Sequence, residues 1–229
     1  MNRIKAVMAI SSIAGLSVPA RAQEENAVTL NLSGGVATDY RFRSISQTDR
    51  NPFAFALASA QYRDFYVRVG GENVDFNDGT DAEYDLYAGW APTFGNTSLD
   101  IGVVRYGYIG APNSPNRDTV EYKAAVTQTI GKGTIGAKAF YAPDFLTLDT
   151  RALYTEINGS YALTPKLTAS GAYGIEQIHR FKDFQAWNLG ATYALTKTLA
   201  FDVRYYDTDS HSNGTTYHSA IVAALKFSI

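Results

Sequence analysis

The residues with the clearest chemical potential are charged side chains that recur at alternate positions. In the stretch LAFDVRYY, residues 199–206, Asp202 and Arg204 alternate with Phe201 and Val203. Because neighbouring side chains on a β-strand point to opposite faces, this spacing places the charges on one face and the apolar residues on the other. Acidic and basic groups on one enclosed face can set an electric field for solutes or form ion pairs with one another.

The same alternation, followed along the chain, predicts a set of charged residues on the inner face of a barrel. The predicted pore-lining or selectivity residues are Asp39, Arg41, Arg43, Arg68, Glu83, Asp85, Glu121, Lys123, Glu156, Asp202 and Arg204. The further charged residues of this face are Glu72, Asp100, Lys138, Glu176 and Lys226. Because such charges are costly against lipid, we expect them to surround either a narrow hydrated pore or a plug of mutual ion pairs.

Catalysis has little support in the sequence. The available histidines are His179, His211 and His218, and His218 is followed by Ser219, whose side chain would point to the opposite face of a strand. A Ser-His site on the outer wall, as in lipolytic barrels, is therefore not expected. We predict no enzyme, no catalytic residue and no cofactor. The chain has no Cys, which excludes disulfides and thiolate ligands.

Two polar loops have the composition of calcium-binding segments without the required pattern. Residues 75–81, DFNDGTD, resemble an EF-hand loop, but the Gly is one place early and no Glu closes the loop. Residues 207–214 form a similar polar tip. Asn-Gly and Asp-Gly pairs are typical of hairpin turns, so we predict turns and no metal site.

The elements that position the charged residues are predicted to be twelve strands. The segment YALTPKLTASGAYG, residues 161–174, is nearly repeated 32 residues later in YALTKTLAFDVRYY, residues 193–206. That spacing fits a unit of two strands of about ten residues, one short turn and one longer loop. The predicted strands are 28–40, 52–62, 65–72, 83–91, 98–108, 119–130, 134–141, 152–163, 166–176, 185–195, 198–206 and 218–229.

This pattern predicts an all-β fold, a transmembrane up-and-down antiparallel β-barrel. Apolar rows such as Phe65, Val67 and Val69 occupy the outward positions, and aromatic residues stand at row ends, as at Tyr84 and Trp90. Short turns alternate with longer polar loops, which is typical of outer-membrane barrels with periplasmic turns and extracellular loops. The alternative is a soluble β-sandwich or a lipocalin-like barrel, because soluble strands alternate in the same way.

The segment 98–108 departs from the pattern. Leu99, Ile101 and Val103 share a parity that would direct Arg105 into lipid. We expect a β-bulge near Val103 and its neighbour Val104 to restore the register.

Residues 1–22 are predicted to be a cleaved signal peptide and residues 23–229 the barrel. Arg3 and Lys5 precede an apolar stretch, and the sequence ARA at residues 20–22 fits the cleavage pattern. Without the three basic residues of this segment the chain has 17 basic and 22 acidic residues. This balance argues against a nucleic-acid partner. The terminal Phe227, Ser228 and Ile229 resemble the signal that the barrel-assembly machinery recognises, although such signals usually end in an aromatic residue.

The stretch TDYRFRSISQTDRNP, residues 38–52, is the most distinctive part of the chain. Its charged residues continue the inward parity of the first strand, whereas Tyr40 and Phe42 continue the lipid-facing parity. Arg41 and Arg43 offer forked donors to anionic groups. We expect them at the outer mouth of the barrel.

Two interpretations of these arginines remain open. Arg41 and Arg43 could attract anionic solutes or lipopolysaccharide phosphates, because guanidinium groups bind such ligands. Alternatively, they pair with inward carboxylates such as Glu83 or Asp85 and stiffen the wall.

The sequence TDYRFRSISQT, residues 38–48, resembles the hallmark SDYRFRGISQT of the TorF family of proteobacterial outer-membrane porins. Ser44 stands where that family usually has Gly. Residues 83–90, EYDLYAGW, are similar to a second, acidic strand of the family, and the resemblance covers essentially residues 23–229. The resemblance implies an outer-membrane barrel and a porin, without a substrate or catalytic residues.

These features predict a porin-like channel of the bacterial outer membrane for passive diffusion of small hydrophilic solutes or ions. The alternative is a closed structural or adhesive barrel whose surface loops bind ligands. The expected partners are outer-membrane lipid, lipopolysaccharide, small solutes and the barrel-assembly machinery. The residues expected to set the field near the outer mouth are Asp39, Arg41, Arg43, Glu83 and Asp85.

Overall fold

The computed structural model describes residues 27–110, 113 and 115–229, so the predicted signal peptide, residues 1–22, lies outside the described residues. Twelve strands of nine or more residues occur in the described part of the chain. In chain order they are β1 (Thr29–Ala37), β2 (Phe53–Tyr62), β3 (Phe65–Asn73), β4 (Thr80–Trp90), β5 (Thr97–Gly110), β6 (Thr119–Ile130), β7 (Gly133–Ala142), β8 (Ala152–Ala162), β9 (Leu167–Ile178), β10 (Phe184–Ala194), β11 (Leu199–Thr208) and β12 (Ala220–Ser228).

The twelve strands form one closed antiparallel sheet. Each strand is hydrogen-bonded to the strands before and after it in the chain. The first and last strands also pair, with Ser33 opposite Ser228 and Ala37 opposite Ala224. A closed sheet has no edge and pairs its backbone groups internally. The prediction of an all-β, up-and-down antiparallel barrel of twelve strands is confirmed.

The predicted strand positions agree closely with the observed ones, and β6 has the predicted bounds. The largest differences lie next to the long loops: β1 ends at Ala37, three residues before the predicted end, and β4 begins at Thr80, three residues before the predicted start. Most connections alternate between short turns and longer loops, as predicted, but the connections before and after β4 both have six residues, 74–79 and 91–96. None of the described residues belongs to a helix long and apolar enough to cross a membrane.

The apolar positions of the strands face outward. Val67, Leu189 and Ile221 are 56%, 67% and 73% exposed, whereas Glu121 and Asp202 of the opposite faces are buried. An apolar exterior around a charged interior is the reverse of the arrangement in a soluble barrel. The structure therefore favours the membrane barrel over the soluble alternative.

Aromatic side chains form two rows on this outer surface. Near the short turns, Phe65 lies opposite Tyr62 and Trp90 on neighbouring strands. Near the long loops, Tyr173 lies opposite Trp187. Rows of this kind are typical of the two interfaces of a membrane.

The predicted bulge in the fifth strand is wrong. β5 pairs with β6 without interruption from Thr97 to Tyr106, and Arg105 points outward. Its side chain is 49% exposed and forms an ion pair of 2.8 Å with Asp118 in the adjoining long loop. The position is tolerated because a long basic side chain near the end of a strand can extend to the polar interface.

Tyrosines on the inner wall lie across glycines of neighbouring strands. A Cβ atom at Gly89 would be 2.5 Å from the Tyr66 hydroxyl oxygen, and one at Gly102 would be 2.9 Å from it. The absence of both side chains lets the Tyr66 ring lie against the wall and donate a hydrogen bond of 2.8 Å to Asp100. Small residues on the inner wall therefore help to fix the position of a charged group.

Candidate functional site in the barrel interior

The first long loop, residues 38–52, folds back into the barrel as a hairpin. Its short strands, Arg41–Phe42 and Ile45–Ser46, pair with each other. The two residues of the turn, Arg43 and Ser44, have φ angles of 48° and 65°. Two consecutive positive φ angles are typical of the type I′ turn that closes tight hairpins. We call residues 38–52 the inner loop.

The inner loop contradicts the predicted orientation of two aromatic residues. Tyr40 and Phe42 were expected to face lipid, yet Tyr40 is 3% exposed and stacks on Phe53 at a centroid distance of 5.0 Å. Phe42 contacts the Tyr106 ring at 5.5 Å. Because β1 ends at Ala37, its alternation does not extend to these residues, and the chain carries both rings inward.

The turn of the inner loop presents Arg43 to two walls of the barrel. Its guanidinium donates to Glu121 of β6 at 2.6 and 2.7 Å and to Glu176 of β9 at 2.5 Å. Both carboxylates have side chains that are 1% exposed. The same guanidinium lies 4.4 Å from the centroid of the Tyr154 ring, a cation–π distance. Burial disfavours the charge of Arg43, but the two carboxylates outweigh this cost and raise its pKa above the ordinary value.

Arg41 fixes the open end of the hairpin, opposite Ser46. It forms an ion pair of 2.6 Å with Asp39 and donates to the carbonyl oxygens of Thr216 and His218 at 3.1 and 2.9 Å. The Ser44 hydroxyl donates to the Trp187 carbonyl oxygen at 2.9 Å. The inner loop is therefore bound both to the last long loop and to β10.

Other predicted interior charges also pair. Lys123 contacts Asp100, and Glu156 lies 2.6 Å from Lys138. Asp202 is 3.3 Å from Arg204 and 3.7 Å from Lys226. Arg68 lies over the Tyr66 ring at 4.1 Å. The structure thus brings these residues together inside the barrel, while their roles in conduction or selectivity remain predictions.

One of the two interpretations had Arg41 and Arg43 pair with inward carboxylates, with Glu83 and Asp85 as examples. Both arginines do pair with carboxylates, but these are Asp39, Glu121 and Glu176. Glu83 and Asp85 instead lie beside Glu72, and one carboxylate oxygen from each of the three is within 4.8 Å of the others. The alternation of the sequence placed these carboxylates on the inner face. It does not show that the loop turns inward, and the course of the loop decides which carboxylates Arg41 and Arg43 reach.

Two of the histidines and the polar loop after β3 form hydrogen bonds within their own loops. His211 Nε2 lies 2.6 Å from Asp207, and His218 Nε2 lies 3.2 Å from the His211 carbonyl oxygen. In the loop after β3, the Asp75 carboxylate accepts a hydrogen bond from the Asn77 backbone at 2.9 Å. Among the described residues, no hydrogen bond joins a serine hydroxyl to a histidine ring.

A closed barrel of twelve strands, apolar outside and charged inside, with a long loop folded into its interior, is a porin-like barrel. Residues 21–228 match a family described as "Bacterial protein of unknown function (Gcw_chp)", and the chain belongs to this family. No curated protein sequence matches the chain.

Solved porin structures share this fold. A KdgM porin has a TM-score of 0.56 at 10% identity, covering 88% of this chain and 99% of the porin. The KdgM porin in complex with disordered oligogalacturonate has a TM-score of 0.59 at 9% identity, with coverage of 88% and 99%. A NanC porin has a TM-score of 0.56 at 8% identity, with coverage of 87% and 98%. The comparisons do not identify the TorF family, and that resemblance stays a prediction.

Proposed function

We propose that the protein is an outer-membrane channel for passive diffusion of small hydrophilic solutes or ions, narrowed by the inner loop. The observation that carries the proposal is the charged inner face of a closed twelve-stranded barrel whose outer face is apolar. A barrel of this strand number lies between filled eight-stranded barrels and open sixteen-stranded porins. The TorF resemblance and the porins of the same fold support this assignment.

The inner loop is proposed to act as the constriction. Its turn residue Arg43 reaches the β6 and β9 walls, so a solute that passes along the barrel must pass beside this group. Because Arg43 is shared by two carboxylates, its removal leaves two uncompensated negative charges beside the path. Loss of Arg43 is therefore expected to favour cations.

The proposed environment follows from the outer surface. The apolar rows and aromatic ends fit outer-membrane lipid, and the polar long loops fit the lipopolysaccharide layer. The outward Phe227, which lies opposite Gly34 of β1, belongs to the terminal segment proposed to be recognised by the barrel-assembly machinery. In this proposal the protein is not an enzyme.

A second function is favoured by a specific observation. The ion pairs of Arg43 tie the inner loop to β6 and β9, and hydrogen bonds from Arg41 tie it to the last long loop, which is the arrangement expected of a plug. A closed barrel of this kind would serve a structural or adhesive role through its surface loops.

The experiment that separates the two functions is single-channel recording in planar bilayers. Residues 23–229 are refolded, and the starting protein is compared with Arg43→Ala, with Arg41→Ala/Arg43→Ala and with Arg105→Ala. Arg105 is the control, because it lies on the outer surface and its guanidinium forms an ion pair with Asp118 of the adjoining loop. Folding is checked by the heat-dependent mobility of the barrel in gels.

The channel proposal expects discrete conductance steps, larger steps and a shift toward cation selectivity in Arg43→Ala, and no change in Arg105→Ala. Conductance steps with the same size and ion selectivity in Arg43→Ala as in the starting protein would contradict the role of Arg43 at the constriction. The absence of conductance steps from a folded barrel would overturn the channel proposal and favour the structural or adhesive function.

A further inference from the structure

Three acidic residues of β3 and β4 meet inside the barrel, and no lysine or arginine among the described residues forms an ion pair with them. Glu72 lies directly opposite Glu83 in the sheet, and Asp85 lies opposite Gly70, which adds no side chain between them. The three side chains offer carboxylate oxygens within 4.8 Å of one another. We call Glu72, Glu83 and Asp85 the carboxylate triad.

The carboxylate triad is buried. Glu72, Glu83 and Asp85 are 6%, 3% and 3% exposed. Tyr40 of the inner loop lies beside the triad, and its ring packs on Phe53. Like charges this close and this well removed from water repel strongly unless a positive charge or protons compensate them.

Most oxygens of the carboxylate triad have no well-formed hydrogen bond among the described residues, although the Tyr40 hydroxyl lies near Glu72 and Glu83. Both oxygens of Glu72, Oε2 of Glu83 and Oδ1 of Asp85 are buried without a partner. The other two oxygens accept hydrogen bonds from Tyr108 at 3.2 Å and Tyr87 at 2.8 Å. Unpartnered buried oxygens are costly, so four of them on three neighbouring carboxylates indicate a missing ligand.

The other interior carboxylates differ from the triad in this respect. Asp39, Asp100, Glu121, Glu156, Glu176 and Asp202 each form an ion pair with a Lys or Arg. No ion pair in the described part of the chain includes a member of the triad. The missing compensation is therefore specific to this part of the interior.

We propose that Glu72, Glu83 and Asp85 form a binding site for a hard divalent cation, with Ca²⁺ as the ligand. Carboxylate oxygens are the ligands that Ca²⁺ prefers, and the donor set contains neither sulfur nor imidazole. Up to six oxygens from three carboxylates suit the high and flexible coordination number of Ca²⁺ better than the strict octahedron of Mg²⁺. The site lies in the wall and differs from the loop 75–81 that resembles an EF-hand in sequence.

Cation binding at the triad would also stabilise the base of the inner loop. Tyr40 lies beside the triad and stacks on Phe53, so a bound cation would remove the repulsion among the carboxylates next to this residue. The site is independent of conduction, and a barrel without channel activity can still be tested for it.

The test uses the refolded barrel in detergent, free of lipopolysaccharide and treated with a chelator. Tb³⁺ is the probe, because tyrosines next to a bound lanthanide sensitise its luminescence, and Tyr87 and Tyr108 contact the triad. Ca²⁺ then competes with Tb³⁺ at an ionic strength near the physiological value. The melting temperature is recorded with and without Ca²⁺.

The variant is Glu72→Gln/Asp85→Asn, which keeps the shape of the side chains and removes two charges. One control is Glu156→Gln, which removes an interior carboxylate outside the triad. The other control is Asp75→Asn, which removes a carboxylate of the EF-hand-like loop. Both controls are expected to bind Tb³⁺ and Ca²⁺ as the starting protein does.

The proposal expects saturable binding that the triad variant weakens by roughly tenfold or more, because affinity follows the charge of the ligand set. The melting temperature should rise with Ca²⁺ in the starting protein but not in the folded variant. The absence of saturable binding up to about 1 mM, the weak end of protein calcium sites, would overturn the proposal and show that protons compensate the triad. Equal affinities in protein and variant would overturn it as well.

Discussion

Replacement of Arg43 by Met tests whether the inner loop is held by a buried ion-pair cluster. Met keeps most of the length of the side chain and removes its charge. Glu121 and Glu176, both with side chains 1% exposed, would then lose their shared cation. Removal of one partner from a buried ion pair costs about 3–5 kcal/mol, mainly because the remaining charge stays buried.

The structure places the expected loss near the middle of that range. Two carboxylates are left instead of one, which increases the cost, but each can take up a proton or admit water, which lowers it. We therefore expect Arg43→Met to lower the free energy of unfolding by about 4 kcal/mol. The triple variant Arg43→Met/Glu121→Met/Glu176→Met removes the buried charges together and should return to within about 1–2 kcal/mol of the starting protein.

The assay is equilibrium unfolding by denaturant in lipid vesicles, followed by the fluorescence of Trp90 and Trp187. Arg105→Met is the matched control: the Arg105–Asp118 pair is exposed, and its loss should cost no more than about 1 kcal/mol. Equal losses for Arg43→Met and Arg105→Met would refute the burial of the cluster. A triple variant no more stable than the single one would refute the argument that uncompensated charge causes the loss.

Three further perturbations follow from the same geometry. Ser44→Ala and Ser44→Gly both remove the hydroxyl bound to the Trp187 carbonyl, so they differ only in backbone freedom. Because φ is 65° at this position, the Gly variant should have a free energy of unfolding about 1 kcal/mol higher than that of the Ala variant. Equal stabilities of the two variants in denaturant would exclude strain in the turn. Gly89→Ala should cost about 1–3 kcal/mol, since the new Cβ meets the Tyr66 ring, and Tyr66→Ala should abolish this increment in a double-mutant cycle. Slight burial opposes the charge of Asp78, but hydrogen bonds from Thr80 and Arg117 outweigh this effect and lower the pKa of Asp78. The Asp78–Arg117 contact between the loops after β3 and β5 should therefore be complete at neutral pH, weaken below about pH 4 and be lost once the pH falls through the lowered pKa. Limited proteolysis of these loops as a function of pH, with Arg117→Met as the reference, measures this loss.

The barrel itself could be predicted from local sequence because the two faces of each strand meet opposite environments. At β11, Phe201 and Val203 face outward and Asp202 and Arg204 face inward, as alternation requires. The same rule failed at Tyr40 because strand geometry ends at Ala37, and nothing in a period of two marks that end.

The inner loop could not be predicted because the contacts that fix it are distant in sequence. Arg43 is 78 residues from Glu121 and 133 residues from Glu176. The sequence shows that Arg43 needs an anionic partner, but several inward carboxylates satisfy that requirement equally well until the barrel is closed. The bulge expected near Val103 failed for a related reason, because Asp118 in the adjoining loop gives Arg105 a polar contact on the outer surface.

Different residues of the inner loop contact different strands of the barrel. Tyr40 lies beside the carboxylate triad of β3 and β4, Phe42 meets Tyr106 of β5, and Arg43 reaches β6 and β9. A loop fixed at several strands cannot swing as a rigid lid, because movement of the turn away from β9 leaves its base stacked on Phe53 of β2. Loss of Arg43 should therefore free the turn alone, whereas neutralisation of the triad should change the base without releasing the turn. Hydrogen exchange at residues 38–52 would separate these effects, and equal protection changes across the loop in both variants would contradict this division.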